Sequence, residues 1–73
     1  MPGRLKLSPT QRDILMMLEE AGAETVGTVL ATLKPADLDQ FDQQVEGLVN
    51  LLLIRKELNK LVLTEQGKKA LRT

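Results

Sequence analysis

The stretch from Asp37 to Ile54 constrains the fold more than any other part of this 73-residue chain. Asp37 is suited to cap a helix, and Gln40 stands at the capping-box position. Apolar residues recur at intervals of three and four, which places them on one stripe of an α-helix. They are Leu38, Phe41, Val45, Leu48 and Leu52, with Val49 widening the stripe. We therefore expect the longest helix here, of about four to five turns, and a core built against its stripe.

The opposite face of this predicted helix is acidic and polar. No lysine or arginine occurs between Lys34 and Arg55. The side chains expected to face water are Asp39, Gln40, Asp42, Gln43, Gln44, Glu46 and Asn50. An acidic face of this kind favours a basic partner and opposes the negative charge of phosphate groups.

Charge is unevenly distributed, although the chain has no formal net charge. Residues 1–12 and 55–73 together hold nine cations and two acids, a net charge of +7. Residues 13–54 hold one cation and eight acids, a net charge of −7. If the two ends lie together, the protein has a basic side and an acidic side, which steer partners by charge. We expect the acidic helix to be turned away from the basic side.

Composition excludes several classes of function. The chain has no cysteine and no histidine, so it lacks thiolate sites, most zinc sites and the usual general base. No base stands near the serine or threonine residues, and there is no glycine-rich phosphate loop. One aromatic residue is too few for the stacking platforms of single-strand binders. We expect no catalytic activity, no cofactor and no metal. A cytoplasmic location is expected, because cysteine, a signal peptide and a membrane span are all lacking.

Two shorter helices are predicted before the long one. Ser8-Pro9-Thr10-Gln11 supplies a cap, a proline for the first turn and a capping-box glutamine, so a helix is expected over 9–21, with Gly22 as its stop. A second helix is expected over 26–34, ended by Pro35. Its β-branched residues leave a strand reading open, and Thr25-Val26 could pair briefly as a strand.

The apolar run Leu51–Ile54 marks a change of structure, since a helix cannot bury four consecutive residues on one stripe. The favoured interpretation is that the helix stops and a strand begins, with a contact to a second chain as an addition. Two strands, 54–58 and 61–64, are expected around an Asn59-Lys60 turn. Thr64 then caps a helix over 65–71, in which Ala70 and Leu71 face inward and Gly67 is a close-packing position.

Two stretches resemble the winged helix-turn-helix domains of MarR-like and PadR-like repressors. Leu48–Arg55 is similar to the leucine-rich helix end and hydrophobic-basic strand that lead into the wing. Leu63–Leu71 matches the Leu-Thr-x-x-Gly-x-x-Ala-Leu segment that follows the wing. The resemblance implies a mainly α fold with a small β-hairpin. Residues 8–73 would form a three-helix core, a short wing and a short C-terminal helix, after a basic N-terminal arm over 1–7.

The resemblance also implies a non-catalytic, dimeric transcription regulator that binds double-stranded DNA. The second helix of the pair would enter the major groove, and the wing would rest on the backbone. The glutamines expected to face bases, because glutamine can pair with an adenine edge, are Gln40, Gln43 and Gln44. The cations expected to contact phosphates are Arg55, Lys56 and Lys60.

Each of these groups has an alternative reading. The glutamines also fit a solvated helix surface, and the three cations also fit edge-strand protection. Asp39, Asp42 and Glu46 oppose the phosphate charge, although aspartate can accept a hydrogen bond from cytosine. The alternative function is a winged-helix module for protein–protein interaction, in which the acidic face of residues 37–50 binds a basic protein partner.

Overall fold

The computed structural model describes residues 6–72, which form a mainly helical domain with four α-helices and a three-stranded antiparallel sheet. In chain order the elements are α1 (Pro9–Ala21), β1 (Ala23–Thr25), α2 (Val26–Leu33), α3 (Leu38–Asn50), β2 (Ile54–Glu57), β3 (Lys60–Leu63) and α4 (Glu65–Leu71). The strand order is β1-β3-β2, so β3 is central and β2 lies at an edge. Residues 1–5 of the predicted arm lie outside the described residues, while Leu7 is partly buried against the core.

The start and stop signals predicted for α1 are confirmed. The Ser8 hydroxyl accepts from the Gln11 N–H, and the Gln11 side chain accepts from the Ser8 N–H, so both halves of the capping box form. Gly22 ends α1 with a φ of 83°, which glycine adopts without strain. Thr25 caps α2, which ends at Leu33, one residue earlier than expected.

The prediction that α3 is the longest helix is wrong. Asp37 caps it as expected, and its side chain accepts from the Gln40 N–H at 3.1 Å. The helix ends at Asn50, however, and its 13 residues equal the length of α1. The chain then turns at Leu52, whose φ is 64°, and β2 begins at Ile54. The favoured interpretation of the apolar run, helix end followed by strand, is confirmed.

Two leucines predicted for the inward stripe are exposed instead. Leu38 is 59% exposed and Leu52 is 64% exposed. Leu38 occupies the first helical position, and the buried part of α3 starts three residues later at Phe41. Leu52 lies beyond the helix end, where the left-handed turn takes its side chain off the stripe. The part of α3 that faces the core therefore runs from Phe41 to Leu48, with Val49 packed against it.

The core lies between the helices and one face of the sheet. Its buried side chains are Ile14, Leu15, Leu18, Val29, Phe41, Val45, Leu48, Leu53, Ile54, Leu61, Leu63 and Ala70. Leu71 is partly buried against them, so the inward face predicted for α4 is confirmed. The Thr64 hydroxyl accepts from the Gly67 N–H at 3.0 Å and donates to the Leu52 carbonyl at 2.6 Å. This residue therefore both caps α4 and joins it to the turn after α3.

The turn of the β2–β3 hairpin lies one residue earlier than predicted. Glu57 pairs with Lys60, so the two-residue loop is Leu58-Asn59 rather than Asn59-Lys60. Leu58 has a φ of 58° and a fully exposed side chain. A left-handed conformation is unfavourable for a residue with a Cβ. Leucine at this place is therefore a source of local strain.

Replacing Leu58 with glycine is expected to raise the free energy of unfolding by about 0.5–1 kcal/mol. Relief of the left-handed conformation returns about 1–2 kcal/mol, and the greater backbone entropy of glycine in the unfolded chain offsets part of that gain. Urea unfolding monitored by circular dichroism measures the change. Leu58→Ala is the matched control, because it removes the leucine side chain but keeps the Cβ. An equal gain in that variant would show that strain is not the cause.

Candidate functional site

One exposed stripe of polar and acidic side chains runs along α3. Residues three and four apart lie on the same side of a helix, and here the members of that side are all exposed. We call this set the outer stripe: Asp39, Asp42, Gln43, Glu46 and Asn50. Gln40 is also exposed, in the first turn of the same helix.

The β2–β3 hairpin adjoins the outer stripe. The Nζ of Lys56 lies 3.7 Å from Oε2 of Glu46, which connects β2 to α3. The predicted separation of a basic surface from the acidic helix is therefore wrong at this point. The acidic helix α3 and the cations of the hairpin, which belong to segments of opposite net charge, therefore share one surface in the fold.

The three cations predicted to contact phosphates are all exposed on the hairpin. Arg55 contacts Glu57 on the same strand, with 2.9 Å between Nη2 and Oε2. Lys56 makes the contact to Glu46, and Lys60 has no ion pair with another residue in the range 6–72. Exposed ion pairs contribute only about 0–1 kcal/mol, so both paired cations can exchange their carboxylate for another anion.

Gln44 lies off the outer stripe and contacts the start of α1. The Ser8 hydroxyl donates to Oε1 of Gln44 at 2.7 Å, and Nε2 of Gln11 donates to the Gln44 carbonyl at 3.2 Å. Gln44 is half-buried, so it differs from Gln40 and Gln43, which stay exposed. Of the three glutamines predicted to face bases, the structure leaves two at the surface of α3 with free amides.

The sequence does not predict the contacts of Gln44, because Ser8 and Gln11 lie 36 and 33 residues away from it in the chain. A partial signal was present in the capping box. The Ser8 oxygen accepts from the backbone, so its O–H still needs an acceptor. The sequence does not indicate which acceptor that is.

The described part of the chain holds no group of three or more acidic side chains placed to bind a metal ion. Within residues 6–72, none of the helices has the length and apolar character needed to cross a membrane. No protein-family model matches the sequence, and comparison with curated proteins and with solved structures gives no match either. The candidate functional site is the surface formed by α3 and the hairpin.

Proposed function

We propose that this chain is a winged helix-turn-helix protein that binds double-stranded DNA and regulates transcription. In this proposal α2 and α3 are the helix pair, and the β2–β3 hairpin is the wing. The pairing of β1 with β3 supports it, because the strand before the helix pair joins the hairpin in one sheet. The contact between Lys56 and Glu46 carries the proposal, since it sets the hairpin cations beside the outer stripe of α3.

In this arrangement α3 would lie in the major groove and the wing along the backbone. Gln40 and Gln43 offer a donor and an acceptor together, which suits an adenine edge. Asp39 and Asp42 can accept from the amino group of cytosine. These acids would favour sites where cytosine meets α3 and would weaken binding elsewhere, because they face phosphate charge.

The salt dependence of DNA binding tests the proposal. Contacts to three phosphates make the affinity fall by roughly forty-fold between about 50 and 200 mM salt, from a slope of about 0.9 per phosphate. Lys60→Gln should lower that slope by about 0.9. Fluorescence anisotropy with labelled duplex DNA at several salt concentrations measures both quantities.

The matched control is Lys69→Gln, which removes the same charge from the exposed surface of α4. We expect this variant to keep the wild-type slope, because α4 packs on α1 and is not part of the proposed wing. A slope lowered equally by both variants would indicate a general charge effect without a wing contact. Failure of the wild-type protein to bind any duplex at low salt would remove the proposal.

A second candidate function is a protein–protein interaction module, and the charge of α3 favours it. Asp39, Asp42 and Glu46 lie along one side of α3, and no lysine or arginine lies on that helix. A surface of this kind complements a basic partner. The two candidates use the same helix but predict opposite effects of changing its charge.

Asp39→Lys combined with Asp42→Lys separates the two candidates. If α3 lies in a DNA groove, the double variant binds duplex DNA more tightly than the wild type. If α3 recognises a basic protein, the variant loses binding to a lysine-rich peptide that the wild type binds. Glu19→Lys combined with Glu20→Lys, on the exposed surface of α1, is the control for net charge. Titrations of all three proteins with both probes give the comparison.

A further inference from the structure

Glu46 is the one acid of the outer stripe that has a cation beside it in the part of the chain that the structure describes. Its Oε2 lies 3.7 Å from Nζ of Lys56 on β2, whereas Asp39 and Asp42 make no ion pair within residues 6–72. Both side chains of the pair are open to a ligand, since that of Glu46 is 60% exposed and that of Lys56 is 48% exposed. A duplex on this surface would therefore meet a carboxylate and an ammonium group that already occupy each other.

Lys56 has to exchange Glu46 for a phosphate if the wing is to lie on the DNA backbone. An exposed ion pair contributes little to stability, whereas duplex DNA carries one negative charge per about 1.7 Å of its axis. The lysine head is a compact charge on a flexible stem, so it can turn from the carboxylate to a phosphate. Binding would then leave Glu46 without its cation, on the helix that lies in the groove.

The major groove offers few partners to a carboxylate that has lost its cation. Guanine presents acceptors there, thymine presents an acceptor and a methyl group, and adenine presents a donor beside an acceptor. Among the four bases, only cytosine presents an amino donor without an acceptor. At every other base the carboxylate meets an acceptor or a methyl group and is still repelled by the phosphates.

We infer that Glu46 determines sequence specificity: it favours duplexes that place cytosine opposite it and opposes binding to other sequences. The inference rests on the proposed DNA binding and names a base that the surface would select. The selection acts only in the complex, because Lys56 neutralises Glu46 in the free protein. One ion pair between the wing and α3 would thus couple a phosphate contact to the reading of a base.

The variant Glu46→Gln tests the inference, because glutamine has nearly the same size but pairs with adenine. We expect the preferred base at one position of the site to change from cytosine to adenine. The ratio of the two affinities should change by about fivefold or more, the lower end of the effect of one base pair. Selection from a random pool of duplexes, followed by fluorescence anisotropy on duplexes that differ at that base pair, measures the change.

The matched control is Glu20→Gln, which removes the same charge from the exposed surface of α1 and should keep the base preference of the wild type. A wild type that binds duplex DNA without a preference for cytosine would overturn this inference alone. An unchanged preference in Glu46→Gln would do the same, and in both cases DNA binding itself would stand. If the wild type binds no duplex at low salt, the proposed function and this inference fail together.

A second variant, Lys56→Gln, tests the exchange of partners. If Lys56 contacts a phosphate in the complex, its loss lowers the slope of log affinity against log salt concentration by about 0.9. Lys69→Gln, on the exposed surface of α4, should keep the wild-type slope in the same titrations. An unchanged slope in Lys56→Gln would show that Lys56 stays with Glu46 in the complex, and this result would contradict the inference.

Discussion

Replacing Gly67 with alanine is expected to lower the free energy of unfolding by about 1–3 kcal/mol, the usual range for overpacking. A Cβ at this position would overlap the Leu53 carbonyl oxygen and a methyl group of Leu63. The carbonyl is part of the backbone, and it accepts from the Thr64 N–H at 3.1 Å. It cannot move without breaking the junction between the hairpin and α4. For a domain of this size the loss is a large part of a total stability of roughly 4–11 kcal/mol.

Gly27→Ala is the matched control for this experiment. Gly27 lies in α2, and nothing is found within 4 Å of a Cβ built on it. Gly27 has no positive φ, and replacing glycine by alanine where the native backbone suits alanine stabilises a protein by about 0.4–1 kcal/mol, because the unfolded chain loses entropy. This variant should therefore gain stability. Urea unfolding of both variants measures the difference. A Gly67→Ala protein as stable as the wild type would show that α4 does not approach the Leu53 carbonyl this closely.

Truncation of Leu48 to alanine is expected to have the other large effect, a loss of about 2–5 kcal/mol. Leu48 is fully buried in the last turn of α3, so its removal leaves a cavity that the surrounding core fills only in part. A change of this size leaves little of the stability of a small domain. Thermal and urea unfolding give the magnitude.

Leu38→Ala is the control, and it tests a correction made by the structure. The helical spacing assigns Leu38 and Leu48 to the same inward stripe, yet Leu38 is 59% exposed. Substitutions at exposed sites usually change stability by no more than about 0.5 kcal/mol. Equal losses in the two variants would place Leu38 in the core and would contradict the exposure seen here.

The helix starts could be predicted from the sequence, because their signals lie within four residues of the boundary. Ser8 with Gln11, Asp37 and Thr64 each bond to a nearby backbone N–H, and all were identified as caps. The end of α3 carries no such signal. The apolar run Leu51–Ile54 predicts that the helix stops, but because all four residues are apolar, periodicity does not place the last helical residue. The turn also uses a leucine at positive φ where glycine would be expected.

The candidate site was predicted in its parts but not in its arrangement. The helical period gave the exposed side of α3, including Asp39, Gln43 and Glu46. It could not give the contact of Lys56 with Glu46 or the attachment of Gln44 to α1, since both join elements that are distant along the chain. Contacts of this kind depend on how the elements pack, which the spacing of residue types does not encode.

Phe41 has a practical consequence for studying this protein. It is the only aromatic residue of the chain, and at 2% exposure it lies in the first buried turn of α3. A fluorinated phenylalanine would therefore enter at a single place and give one resonance, with no assignment needed. That resonance would report the interior directly beneath the surface formed by α3, so ligand titrations and denaturation could be followed with the same spectroscopic label.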